Sequence, residues 1–572
     1  MVNPSLRAAR REVFPIPVVP RAPGLVPSFE RAESLCDDAS RALNELFSGS
    51  VSSSVSTSVA SPCQLSSREL LLSQATRMAD SFDVSLDPKS SFESLGLGVD
   101  YRGNSQSFVA LDENLLSLPA SDVEPQPVSR LLGPRGDVEI EDFKSSSCLP
   151  IAAGREASEA SGLVRPFMDP GIRRCSRRYH NLLRKLEKHG ILCYGLEAIS
   201  FVGMFAVNKK SGKQRLVIDC RLANLYFRAA KHVNLPTASS FARIEVEVDE
   251  TLFISQFDLS CAFYQMLLPE FLRPYFCLEP VKASAVGVSM IGGSYVSPDE
   301  LIFPQMKVMP MGFSHALYFC QRIFENIVRT AIPLAPLIHD SSPVPPLERG
   351  AAAVYVDNFA SMSTDPAVAR DNCARVVAET HARGLTTHEH DDGAACDLLG
   401  VSFCEGNLIV PKGGRRWVLY FAITHALTRN RLTSRELNVI VGHFTFLALL
   451  RREMLSVMSA VYSFIAKGYA HPSRLWPAVR RELTWMRALL CALEVRTSKP
   501  WASQSMMFDA SPWGAGVMRA TVDSRIAADS GRFSERWRFK SAEPLSLRLL
   551  SRKAIVEHVF KHEGTTAARL CR

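Results

Sequence analysis

The chain has 572 residues, 47% of them apolar and 22% charged, and a formal net charge of +8. Its length accommodates about three or four domains around a large core. It contains no run near the roughly 18 apolar residues of a membrane-spanning helix, no apolar stretch following Arg7, Arg10 and Arg11, and no CxxC pair among its fourteen cysteines. No transmembrane segment or secretory signal is expected, and the scattered cysteines favour reduced thiols of an intracellular protein, nuclear or cytoplasmic, over disulfides or a zinc site.

Charge is unevenly shared. Residues 1–165 hold 15 Lys and Arg against 22 Asp and Glu, a net of −7. The remainder holds 51 against 36 of the chain's 66 and 58, a net of +15. A basic globular part suits a polyanionic partner, because each phosphate contact releases counterions. The acidic part carries a proline-rich stretch (15–27) and the Ser/Val tract 48–61, so residues 1–165 are expected to be mostly disordered. Short helices are expected only at 30–47 and 67–78, where apolar residues recur at helical spacing.

Order is expected to begin near Asp169-Pro170-Gly171. Tyr179, Leu182, Leu183 and Leu186 follow the i, i+3, i+4, i+7 pattern of a helix that stops at Gly190. Its other face carries Arg173, Arg174, Arg177, Arg178, Arg184 and Lys185, either solvated or in contact with phosphates. A hairpin follows: Phe201 to Val207, a turn at Lys209-Lys210-Ser211-Gly212, then Arg215 to Asp219. Two short apolar runs end in aspartate, Leu252-Phe-Ile-Ser-Gln-Phe-Asp258 and Ala353-Val-Tyr-Val-Asp357-Asn358. If these strands lie side by side, their carboxylates can share divalent cations. Thr433-Ser-Arg-Glu436 is a capping box opening a helical stretch, and Ser505 to Asp509 and Gly514 to Val517 revert to β pattern.

Taken in order, these pieces resemble a retrotransposon-type reverse transcriptase. Phe205 to Asn224 is similar to the family's fingers hairpin, and Gln256-Phe-Asp258-Leu-Ser-Cys-Ala-Phe263-Tyr-Gln265 to its first catalytic motif. Val308-Met-Pro-Met311-Gly312-Phe-Ser-His-Ala316 with Gln321 is similar to the template- and nucleotide-contacting motif. Tyr355-Val-Asp357-Asn358 corresponds to the hairpin with paired aspartates, and Leu398-Leu-Gly400-Val to the strand after it. The resemblance implies an α+β fold: a right-hand polymerase with fingers and palm over 166–420, built on an antiparallel sheet with packed helices. A helical thumb or connection would span 421–497, and a truncated RNase H-like α/β segment 498–572, with Asp509 as the remnant of that site and Glu543 as a second ligand.

The implied activity is RNA-directed DNA polymerisation with two Mg²⁺, Mn²⁺ being the alternative. The implied partners are an RNA template, a DNA or RNA primer and dNTPs. Asp258, Asp357 and Asn358 would form the catalytic set, with Asp258, Leu259 and Asp357 on the metals. Lys209, Lys210 and Arg215 would take phosphates. Phe263 would lie under the sugar and exclude a 2′-hydroxyl, while Met311 and Gly312 would shape the base and template pocket.

Three departures stand out. Asn358 replaces the second aspartate, which removes a charge from the metal site. Leu317 stands where proline is common. His388 and His390 lie where the family often has a lysine, and either could act as an acid. The alternative reading is a decayed or repurposed relative that binds nucleic acid without catalysis. RNase H activity is not expected, because no convincing third or fourth ligand joins Asp509 and Glu543.

Overall fold

The computed structural model describes residues 13–18, 27–48, 59–97, 109–120, 123–209, 212–340, 347–511 and 514–532. It is a mixed helix-and-sheet protein with three apolar cores. Among the described residues, no helix is long and apolar enough to cross a membrane, and the described cysteines are free thiols.

The expectation of a mostly disordered region 1–165 is corrected by the described part of it. Helices α1 (Pro27–Ser48) and α2 (Pro62–Asp80) cover and extend the two segments with helical spacing. Their apolar faces, with Ala32, Leu35, Ala39, Leu71, Ala75 and Met78, are buried against a helical module more than 300 residues downstream. Trp417 Nε1 donates to the Met78 carbonyl at 2.8 Å, and Arg77 Nε to Glu494 at 3.1 Å. Residues 109–119 run as a strap along the hairpin of residues 203–219. Gln214, which is buried, accepts from Asp112 N and donates to the Ala110 carbonyl, while its main chain exchanges bonds with Leu115 and Ser117. These segments are too sparsely apolar to fold alone, and they gain burial only from distant surfaces.

Helix α3 (Ser176–Lys188) buries Tyr179, Leu182, Leu183 and Leu186 as the periodicity predicts, and Gly190 follows with φ +69°. Part of its basic face is already occupied. Arg178 donates to the Leu111 carbonyl at 2.7 Å and lies 3.7 Å from Glu113, and Lys185 bonds the Glu113 carbonyl. Strands β1 (Gly203–Asn208) and β2 (Gln214–Asp219) form the hairpin.

The central sheet is antiparallel throughout. Its members are β3 (Phe253–Leu259), the hairpin β4 (Ala351–Tyr355) and β5 (Asn358–Ser363), and β6 (Thr387–Gly393), in spatial order β4-β5-β3-β6. Side chains alternate between cores: Ala352, Val354, Phe257 and Phe359 enter the largest, and Ala351, Ala353, Ile254 and Met362 a smaller one behind the sheet. Helices α4 (Ala316–Ala331) and α5 (Pro366–Ala382) pack on the first face.

The helical module contains α6 (Arg415–Arg429), α7 (Ser434–Ala448) and α8 (Pro477–Ala488). The capping box forms as read: Thr433 Oγ1 accepts from Glu436 N at 3.1 Å, and Glu436 accepts from Thr433 N at 2.7 Å. The boundary expected at 420/421 falls inside α6. Trp417 and Leu419 belong to the helical core, so that module begins a turn or two earlier. Beyond it, β7 (Gln504–Ser511) and β8 (Gly514–Thr521) make a separate two-stranded sheet.

Candidate active site

Asp258 is the penultimate residue of β3, and Asp357 lies in the two-residue turn between β4 and β5. Because Asn358 pairs with Asp258 across β5 and β3, the turn sets Asp357 beside Asp258, and the Asp357 carbonyl accepts from Leu259 N at 2.9 Å. Strand register thus makes neighbours of residues 99 apart in the chain.

The turn is strained. Val356 has φ +57°, a region that a β-branched residue rarely adopts. Such a conformation costs on the order of 1–3 kcal/mol and persists only where surroundings over-determine it. Helix α4 does so here. The Val356 N–H donates to Gln321 Oε1 at 2.7 Å, and Cys320 Sγ donates to the Val356 carbonyl at 3.3 Å. Gln321, wholly buried, spends its amide N–H groups on the Val354 carbonyl and Glu325, each at 3.0 Å. Sequence reading included Gln321 in a motif without a role; its place beneath the turn emerges only from helix packing.

The electrostatics follow from burial. Asp258 Oδ1 is buried and has no hydrogen-bond partner among the described residues. Burial, then the Asp357 charge, push the Asp258 carboxyl up to about 7, with His388 opposing them. Asp357 is also raised by burial, against the Asn358 amide (which donates to Asp357 Oδ1 at 3.1 Å) and the Arg215 charge. Two half-buried carboxylates with an orphaned oxygen fit a hard divalent cation, which would offset both burial and repulsion. Leu259 is buried and offers such an ion only its main-chain carbonyl.

The remaining candidate residues divide. Arg215 projects from β2 opposite Val207, exposed and within electrostatic reach of Asp357. Lys209 is committed elsewhere, its Nζ bonding Ser117 Oγ of the strap at 3.0 Å; Lys210 lies outside the described residues. Phe263 sits half-buried in a short 3₁₀ turn (Ala262–Gln265) that follows β3. Met311 is half-buried and Gly312 exposed. A Cβ on Gly312 would stand 2.2 Å from the Ile218 carbonyl oxygen, so this glycine already answers to the close passage of its loop over β2. Asn224 clamps the same loop, donating to Gly312 O and accepting from Ser314 N, both at 2.9 Å.

Of the two histidines, His388 reaches the site: it pairs with Asp258 across β6 and β3, its Nε2 3.9 Å from Asp258 Oδ2. His390 turns to Thr387 Oγ1 at 3.0 Å and stacks on Phe257. Asp509 lies on β7 opposite Gly516, in a sheet separate from the central one, and Glu543 is outside the described residues.

Neither a family model nor a curated protein matches the sequence. Among solved structures, the chain is similar to a foamy viral protease–reverse transcriptase in complex with double-stranded DNA. One such structure, labelled dRH, matches at 15% identity and a TM-score of 0.40 over 66% of this chain and 67% of that one. Another matches at 13% and 0.39 over 67% and 71%.

Proposed function

We propose that the chain is an RNA-directed DNA polymerase of retroelement type, in which a primer 3′-hydroxyl attacks the α-phosphate of a dNTP and pyrophosphate leaves. The observation that carries this reading is the meeting of Asp258 and Asp357 at one sheet end, with an orphaned carboxylate oxygen between strands. In this reading the central sheet is the palm, the β1–β2 hairpin the fingers and the helical module the thumb. Asp258, Asp357 and the Leu259 carbonyl would hold two Mg²⁺, or Mn²⁺. The chemistry supplied by such a pair when bound is activation of the attacking hydroxyl and stabilisation of the leaving oxygen. Arg215 would draw the triphosphate to the carboxylates, where a guanidinium can bind two oxygens at once. Phe263 would close the sugar pocket against a 2′-hydroxyl. RNA template and DNA or RNA primer are the proposed partners, in keeping with the +15 net charge of residues 166–572.

The test is primer extension on a poly-A RNA template with Mg²⁺ or Mn²⁺. The wild-type chain is expected to incorporate dTTP and Asp258→Asn to lose that activity; equal signal from both proteins refutes the mechanism. A second reading, nucleic-acid binding without catalysis, is favoured by one observation: the Asn358 amide ties up Asp357 Oδ1. It prevails if template–primer binds tightly while neither the wild type nor Asn358→Asp extends a primer.

A further inference from the structure

Strand β6 is irregular where it faces Asp258. Its register slips between His388 and Asp391, and Glu389 adopts φ +52°, in the left-handed region that side chains other than glycine seldom enter. In an unbroken strand, consecutive side chains point to opposite faces. Here the bulge brings His388 and Glu389 to the same place, and one ligand atom each from Asp258, His388 and Glu389 lie within 4.8 Å of one another.

The hydrogen bonding of His388 sets its chemistry. Its Nδ1 contacts the Asp258 main-chain carbonyl at 3.2 Å. A carbonyl only accepts, so Nδ1 carries a proton, and Nε2 is the nitrogen left to face a ligand. That nitrogen lies 3.6 Å from Glu389 Oε1 and 3.9 Å from Asp258 Oδ2. One ring nitrogen and two carboxylate oxygens thus converge beside the buried Oδ1 of Asp258, which lacks a partner among the described residues. A carbonyl-oriented histidine is the usual arrangement of a metal ligand.

From this geometry we infer that His388 and Glu389 complete the cation site of this chain, supplying from β6 the negative charge and ligand that the β4–β5 turn lacks at Asn358. The inference rests on the polymerase reading and adds to it a ligand set of two carboxylates from β3 and the turn, one from β6, and an imidazole. Adjacent ligand atoms on an Mg²⁺ lie about 3.0 Å apart and opposite ones about 4.2 Å, so the three atoms need to close by about an ångström. The nitrogen ligand tilts the site toward Mn²⁺ over Mg²⁺ relative to an all-oxygen set.

The experiment is titration of the full-length protein with Mn²⁺ and with Mg²⁺, read by calorimetry and by the free-Mn²⁺ electron paramagnetic resonance signal. Both β6 side chains are substantially exposed, 43% for His388 and 76% for Glu389, so Glu389→Gln and His388→Ala should fold normally. Each is expected to weaken Mn²⁺ binding by about tenfold or more, and His388→Ala to weaken Mn²⁺ more than Mg²⁺. Asn358→Asp added to Glu389→Gln should restore affinity. If both β6 variants bind Mn²⁺ within about twofold of wild type while Asp258→Asn does not bind, the inference fails and the polymerase reading stands. If Asp258→Asn also binds as wild type does, both fail. An imidazolium at His388 that keeps both ring protons in saturating Mg²⁺, seen by ¹⁵N NMR, likewise overturns the assignment.

Discussion

At the scale of single residues, Asp258 holds the tension of the site. Its carboxyl rises to about 7 in the folded chain, from an ordinary value near 3.8. Between those two values the unfolded chain has already released a proton that the native state keeps. Raising the pH through that window therefore favours unfolding, and the loss is complete above about 7. In EDTA at pH 8, Asp258→Asn should thus be more stable than wild type by on the order of 2 kcal/mol. The difference should vanish below pH 4 and be cancelled by added Mg²⁺ or Mn²⁺, which stabilises the wild type alone. Urea denaturation at the two pH values measures it, and a variant less stable than wild type at pH 8 would contradict the burial argument. Gly312 makes a separate point at this scale. Its lack of a side chain is explained by the Ile218 carbonyl 2.2 Å from where a Cβ would be, without appeal to a substrate.

At the scale of elements, the turn carrying Asp357 is only as well placed as the helix beneath it. Gln321 of α4 satisfies the Val356 N–H and the Val354 carbonyl at once, in a spot with no access to water. Gln321→Met keeps the volume and removes every one of those bonds. Stranding a buried N–H and a buried carbonyl should cost on the order of 2–3 kcal/mol. The released turn should also relax from its left-handed Val356 and carry Asp357 away from Asp258. Chemical denaturation gives the first effect, and loss of Mn²⁺ affinity the second; a variant with wild-type stability would show that the turn holds itself. The β6 bulge is the other element-level device, since a regular strand would point Glu389 away from its neighbour's carboxylate.

At the scale of the whole molecule, the acidic N-terminal part is structural over its described residues. Helices α1 and α2 share one core with α6, α7 and α8, joined by a buried Arg68–Asp37 pair at 3.2 Å within the N-terminal helices and by the Trp417–Met78 bond across. Removing residues 1–97 would bare the apolar side of the helical module. The truncated protein should therefore lose the cooperative unfolding of that module, and hydrogen exchange across 415–493 should become fast. Protection there equal to the full chain's would show the module to be self-sufficient. The strap at 109–119 acts likewise on the hairpin, and its contacts to Arg178, Lys185 and Lys209 withdraw three cations that a sequence reading offers to phosphates.

Local patterns were legible because they depend on neighbours in the chain. The α3 periodicity, the Thr433–Glu436 box, the β1–β2 hairpin and the two runs ending in aspartate all read directly from spacing, and register then brought Asp258 to Asp357. The N-terminal helices at 30–47 and 67–78 were legible from spacing, but their docking was not, because their partners lie hundreds of residues away. Nor were Gln321, Glu389 or the true neighbour of Gly312, since a buried amide, a bulge and a backbone crossing leave no periodic trace. The amino-acid order by itself determined which segments become strands and helices and which carboxylates end them. Only the tertiary structure decided which groups meet around those carboxylates, because burial and charge act through space and are blind to distance along the chain.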